Sequence, residues 1–144
     1  MNADGVSAHL RTSNRGGLEL TLNVSDEQAL RRIAQAFREA NVHDKPISFL
    51  EFRTSAIGGP NSVYLVRINA GAHEKIQIEN SGAGEIFVNW QGDSEYWLEC
   101  AEKCEPLLES GSGRQYLMVR GSQNQMVTLS FCEKKIEAKS QFAH

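Results

Sequence analysis

Cysteine is the residue type in this chain with the widest chemical scope, because its thiolate is both a nucleophile and a metal ligand. Cys100 and Cys104 stand four positions apart, and Cys132 is the third cysteine. A reactive thiol needs a cation or a helix N-terminus beside it. The nearest charged residues are instead mostly acidic: Glu99, Glu102 and Glu105. The pattern therefore predicts buried core thiols, with a small cysteine-dependent hydrolase or transferase as the enzymatic alternative.

Histidine is the other candidate for acid–base or metal chemistry. The four histidines are dispersed over predicted loops and chain ends: His9, His43, His73 and His144. A zinc ion needs four ligands, usually in closely spaced pairs, so no metal site is predicted. His43 and His73 each precede an acidic residue, but adjacent side chains point in different directions and do not by themselves form a general base. We expect solvated loop histidines, no catalytic residues and no cofactor.

The most informative feature is the distribution of charge. The 15 basic and 18 acidic residues give a net charge of −3, whereas residues 93–109 carry six acids against the single base Lys103. The acids are Asp93, Glu95, Glu99, Glu102, Glu105 and Glu109. The helix dipole explains the first two but disfavours the last two. The segment predicts a negative patch that steers and docks a basic partner; the alternative is a solvated face that aids solubility.

Composition limits the class of protein. A chain of 144 residues with 40% hydrophobic residues suits one globular domain. Its acidic balance counts against binding nucleic acid, and no apolar run is long enough to cross a membrane. An odd number of cysteines and a polar N-terminus without a signal peptide favour the cytoplasm. We expect a flexible N-terminal segment over 1–17, one domain over 18–132 and a flexible tail over 133–144.

Hydrophobic periodicity predicts seven strands and two helices. Alternation indicates a strand at 18–24, followed by a helix from Asp26 to near Asn41 that Ser25 caps through a capping box with Gln28. Helical spacing predicts a second helix over 94–109, with its last turn kinked or loosened at Pro106. Three hairpins complete the set: 47–54 with 63–70, 75–80 with 85–90, and 115–120 with 125–131.

The order β-α-β-β-β-β-α-β-β predicts an α+β fold with a single antiparallel sheet of about seven strands and both helices on one face. The opposite face would stay open to solvent. Alternation places Phe87 and Tyr116 on that open face, as aromatic members of a protein-binding surface. A faint repetition of strand, helix and two strands connects 18–70 with 85–131.

Residues 96–131 resemble small bacterial immunity proteins, which neutralise polymorphic or contact-dependent toxins. The resemblance lies in the helix with Trp97, Leu98 and Ala101, followed by the segments 113–117 and 127–131. Together with small size and acidity, it implies a cytoplasmic inhibitor that binds a cognate toxin and blocks its active site or an exosite. The element order is also similar in shape to the half-repeats of the TATA-binding-protein-like fold, which carries no activity.

The sequence therefore predicts a non-enzymatic protein-binding domain. The predicted partner-binding residues are the six acids of 93–109 together with Phe87 and Tyr116. The expected partner is a basic toxin. A structural or regulatory homo-oligomer that pairs its open sheet is a further alternative.

Overall fold

The computed structural model of the chain describes residues 4–12, 17–52, 59–119 and 124–132. The elements in these ranges follow the order β1 (Val6–Thr12), β2 (Leu18–Val24), α1 (Glu27–Ala40), β3 (Ile47–Glu51), β4 (Ser62–Arg67), β5 (Lys75–Asn80), β6 (Ile86–Gly92), α2 (Ser94–Ser110), β7 (Gly113–Met118) and β8 (Gln125–Phe131). The α+β class and all three predicted hairpins are confirmed. The tail predicted over 133–144 lies outside the described residues.

The strands form two sheets of four, so the prediction of a single seven-stranded antiparallel sheet is wrong. The first sheet has the order β1-β2-β8-β7 and the second has the order β3-β4-β6-β5. Each sheet consists of two antiparallel hairpins joined at its centre by a parallel pair, β2 with β8 and β4 with β6. Parallel neighbours cannot be joined by a tight turn, which is why strands distant in sequence meet at the centre of each sheet.

Strand β1 is an element that the sequence did not predict. Residues 6–12 were expected to belong to a flexible N-terminal segment, but they pair antiparallel with β2 from Val6↔Val24 to Thr12↔Leu18. Ala8 is buried and Leu10 packs against the core, whereas His9 between them is exposed. The strand supplies one of the two edges of the first sheet and raises the number of strands in the described residues from the predicted seven to eight.

The N-terminus of α1 differs by one residue from the expected cap. Asp26, rather than Ser25, is the N-cap, and its Oδ1 accepts a hydrogen bond of 2.8 Å from the Ala29 backbone N–H. The Ser25 hydroxyl instead donates to the Gly5 carbonyl at the start of β1. The capping box with Gln28 is therefore wrong, because a carboxylate one residue later satisfies the same kind of free backbone donor.

Helix α2 continues through Pro106 and ends at Ser110. Gly111, with φ of 80°, is the C-cap, and its N–H donates to the Leu107 carbonyl, so the helix ends beyond the turn that was predicted to be kinked or loosened. Proline removes one N–H donor, and its ring crowds the carbonyl four residues earlier. The buried side chains of Cys104 and Leu107 on either side of Pro106 hold this turn against the core.

The two helices pack against each other, and each contacts both sheets. One continuous hydrophobic core results, and five aromatic rings lie where the helices meet the second sheet: Phe37, Phe49, Trp90, Tyr96 and Trp97. The outer faces of both helices remain in solvent. The element order is a duplicated β-β-α-β-β unit, which extends the predicted repetition by one strand in each copy.

Candidate protein-binding surface

Helix α2 displays a row of exposed carboxylates, here called the acidic stripe: Glu95, Glu99, Glu102 and Glu109. These positions are four, three and seven residues apart, which places them on one helical face. The opposite face is buried and carries Tyr96, Trp97, Cys100, Ala101, Cys104 and Leu107. The core therefore fixes the rotation of α2 and directs the stripe toward solvent.

Asp93 does not belong to the stripe, because its carboxylate accepts hydrogen bonds from two backbone N–H groups. It is the N-cap of α2, and its Oδ1 accepts from the Tyr96 N–H at 2.9 Å. Its Oδ2 accepts from the Gly71 N–H at 3.2 Å, in the loop between β4 and β5. The geometry gives Asp93 a structural role in orienting the helix that carries the stripe.

Glu105 lies beside the stripe and faces α1. Its Oε1 is 3.8 Å from Arg38 Nη2, and the two side chains are 61% and 47% exposed. An exposed ion pair of this kind contributes about 0–1 kcal/mol to stability. Glu105 and Glu109 border a shallow groove between the helices whose α1 side carries Arg31 and Arg38. Glu105 is therefore partly neutralised within the chain.

Leu98 is an apolar side chain on the acidic face, and the sequence did not predict it as part of the site. It is 43% exposed. Glu95 precedes it by three residues and Glu102 follows by four, so both are its neighbours on the helix surface. Among the described residues, the large exposed apolar side chains are Val42, Leu98 and Tyr116. The position of Leu98 off the row of Trp97, Ala101 and Cys104 is the sequence feature that identifies it.

Tyr116 adjoins α2 at the outer edge of the first sheet. The Lys103 ammonium donates a hydrogen bond of 2.8 Å to the Tyr116 carbonyl of β7, so the only base of α2 covers part of a sheet edge. The Tyr116 side chain is 50% exposed. It faces away from the core, since the next residue, Leu117, is buried.

Phe87 is separated from Tyr116 by the division into two sheets. It lies in β6 of the second sheet, half-buried, with Ser62 and Glu79 opposite it on the neighbouring strands. The expectation that both aromatic residues share one open sheet face is therefore wrong. The acidic stripe and Leu98 form the candidate surface. The Tyr116 side chain points away from the core on β7 of the first sheet, and Phe87 lies in the second sheet.

The thiols of α2 are not placed for nucleophilic chemistry. Cys100 and Cys104 are buried, and the Cys104 thiol donates to the Cys100 carbonyl. Burial raises the pKa of Cys104 to about 12 and raises the pKa of Cys100 well above its ordinary value. Burial also raises the pKa of Tyr96, whose hydroxyl accepts a hydrogen bond from Trp90 Nε1. Both thiols are protonated at neutral pH, which counts against the cysteine-dependent alternative.

Within the described ranges, no three histidine, cysteine or acidic side chains converge in a way that would hold a metal ion. None of the helices in those ranges combines the length and the apolar character that a membrane span requires. Comparison with family models finds no match to the chain, and comparison with curated proteins finds none either.

Proposed function

We propose that this chain is a non-enzymatic protein-binding domain, and specifically an immunity protein that neutralises a cognate bacterial toxin by occlusion in the cytoplasm. The observation that carries the proposal is Leu98, an exposed apolar side chain between the carboxylates of Glu95 and Glu102 on a helix fixed by the core. The resemblance of residues 96–131 to immunity proteins supports the same proposal. The partner surface is basic and contains an apolar socket.

Charge and apolar contact have different tasks in such a surface. Along α2, five glutamates oppose Lys103, and a local excess of one sign accelerates the encounter with an oppositely charged partner. When the partner binds, the Leu98 side chain is buried and its hydration water is released. The surrounding carboxylates form the polar rim of the interface. Binding over this area blocks the toxin without any chemical step.

The helix is preorganised for this task. Tyr96, Trp97 and Cys100 anchor its first turns in the core, and Asp93 caps its N-terminus. A surface that is already ordered avoids much of the conformational entropy cost of binding. The proposal therefore needs no rearrangement of the backbone.

Neutralising the stripe should slow association. In the triple variant Glu95→Gln, Glu102→Gln and Glu109→Gln, we expect the association rate constant with the proposed cognate toxin domain to fall about tenfold at low salt. Stopped-flow fluorescence measures it. The control is Glu39→Gln, Glu51→Gln and Glu85→Gln, which makes the same change in net charge at other exposed positions. Equal rates for the two variants would remove the electrostatic part of the proposal.

Removing the apolar contact should accelerate dissociation. We expect Leu98→Ser to weaken toxin binding about tenfold or more, as loss of a central interface residue does. The control is Val42→Ser, since Val42 is exposed and apolar but follows the end of α1. Surface plasmon resonance gives both affinities, and growth rescue of toxin-producing cells tests occlusion in vivo. If the chain neither binds that toxin nor rescues growth, the immunity function is refuted.

A further inference from the structure

Both sheets are assembled from the two halves of the chain. Here the N-half is residues 6–67, containing β1 to β4 with α1, and the C-half is residues 75–131, containing β5 to β8 with α2. The first sheet combines the first hairpin of the N-half with the last hairpin of the C-half, and the second sheet combines the other two hairpins. The central strand pairs of both sheets therefore join one half to the other.

The interface between the halves is extensive and regular. Strands β2 and β8 pair over seven positions, and β4 and β6 pair over six. The helices also meet across the halves, where Ser94 Oγ donates to the Asn41 carbonyl at 3.2 Å and Arg38 pairs with Glu105. Within each half, the sheet pairing of the described residues does not join the two hairpins to each other. A half without its complement would expose one unpaired edge on each of its two inner strands.

Residues 68–74 are the covalent connection between the halves, and they are longer than the geometry requires. Arg67 pairs with Gly92 and Lys75 pairs with the adjacent Gln91, so both ends of the connection flank the same end of β6. Two strand spacings separate them, or about 10 Å. Seven intervening residues can span about 28 Å when extended. The excess length of the connection forms a turn, in which the Ala72 N–H donates to the Asn69 carbonyl.

We propose that a second copy of this chain can replace either half, giving an exchanged dimer with two lobes. In each lobe, the N-half of one copy pairs with the C-half of the other, so β2–β8, β4–β6 and α1–α2 contacts are the same as in the monomer. Only residues 68–74 change conformation. At native length the slack connection favours closure within one chain, because the linked half is present at high effective concentration. Each lobe retains its own acidic stripe.

Shortening the connection tests the proposal. Deleting residues 68–73 leaves buried Glu74 as the single link, with a reach of at most about 7.6 Å. That reach is too short for closure within one chain, so we expect light scattering to give twice the mass of one chain. The control replaces residues 68–73 with six Gly and Ser residues, which changes the side chains of the connection but keeps its length, and it should stay monomeric. A folded monomeric deletion variant would overturn the proposal.

A complementation experiment covers the case in which the deletion variant does not fold. Leu22 and Leu129 are fully buried neighbours across the halves, and a charge at either should unfold the chain. When full-length Leu22→Asp and Leu129→Asp are refolded together, the intact halves can form one lobe, and about half of the native helical circular dichroism should return. In the control mixture of Leu22→Asp with Leu20→Asp, both chains carry a defective N-half. No intact lobe can form, and the mixture should stay unfolded. A Leu22→Asp and Leu129→Asp mixture as unfolded as this control would refute exchange. Neither experiment involves the toxin, so both are independent of the proposed function.

Discussion

The free energy of unfolding is expected to fall by about 3 kcal/mol or more when the pH rises from about 8 to about 11. Burial raises the pKa of Cys104 from 9.0 to about 12, so the folded state keeps a proton that the unfolded state releases above its own pKa. The unfolded state then binds fewer protons, and stability falls with rising pH. Cys100 changes stability in the same direction. Urea denaturation followed by circular dichroism at several pH values measures the slope.

The pH effect can be assigned to its residue by comparing two cysteine variants. Cys104→Ala should be less stable at neutral pH, because it leaves a cavity, but its stability should depend less steeply on pH. Cys132→Ala removes a half-exposed thiol at the end of β8 and should keep the full slope. An unchanged slope in Cys104→Ala would show that the buried thiol ionises in the folded protein as readily as in the unfolded one.

Local patterns in the sequence predicted both helices and all three hairpins, because each depends on residues close together in the chain. Alternation at Ile76 and Ile78, and again at Val88 and Trp90, determines which face of a strand is buried. The same alternation is compatible with any neighbouring strand. The pairing of Leu20 with Val127 joins positions more than 100 residues apart, so tertiary packing decides it. The two-sheet arrangement therefore could not be derived from periodicity.

Strand β1 was missed for a different reason. Ala8 is a small apolar residue between polar ones, so the polar character of the segment does not indicate a strand. Edge strands need only one buried face, and polar residues on the other face suit an edge. The few apolar side chains of β1 are enough to hold the strand in the sheet, because β2 pairs with one of its edges along the whole strand.

The candidate surface was predicted in part. The excess of carboxylates in α2 was visible in the sequence, since charges on a helix face do not depend on tertiary contacts. Asp93 caps α2 through the nearby Tyr96 N–H, and only its second contact, with Gly71 in a distant loop, depends on tertiary structure. The separation of Phe87 from Tyr116 depends on sheet order. Leu98 was not predicted as part of the site because it stands beside Trp97. Its position off the row of core residues indicates exposure, and the observed rotation of α2 shows it.

Phe37→Ala is expected to cost about 4 kcal/mol of unfolding free energy, the usual scale for truncating a buried aromatic residue. Phe37 is fully buried in α1. Its ring centroid lies 5.3 Å from that of Phe49, 5.5 Å from that of Trp90 and 5.9 Å from that of Trp97. Truncation would leave a cavity among three rings from β3, β6 and α2. Chemical denaturation of the variant and the native chain gives the difference.

The matched control for this prediction is Phe87→Ala, since Phe87 is half-buried in β6 on the face away from the core. We expect it to cost about 1 kcal/mol, because less apolar surface is lost and no closed cavity forms. Equal losses in the two variants would contradict the placement of the core. Trp90 and Trp97 belong to the C-half, whereas Phe37 belongs to the N-half. The same truncation should therefore also weaken the complementation of Leu22→Asp by Leu129→Asp when it is placed in the intact N-half.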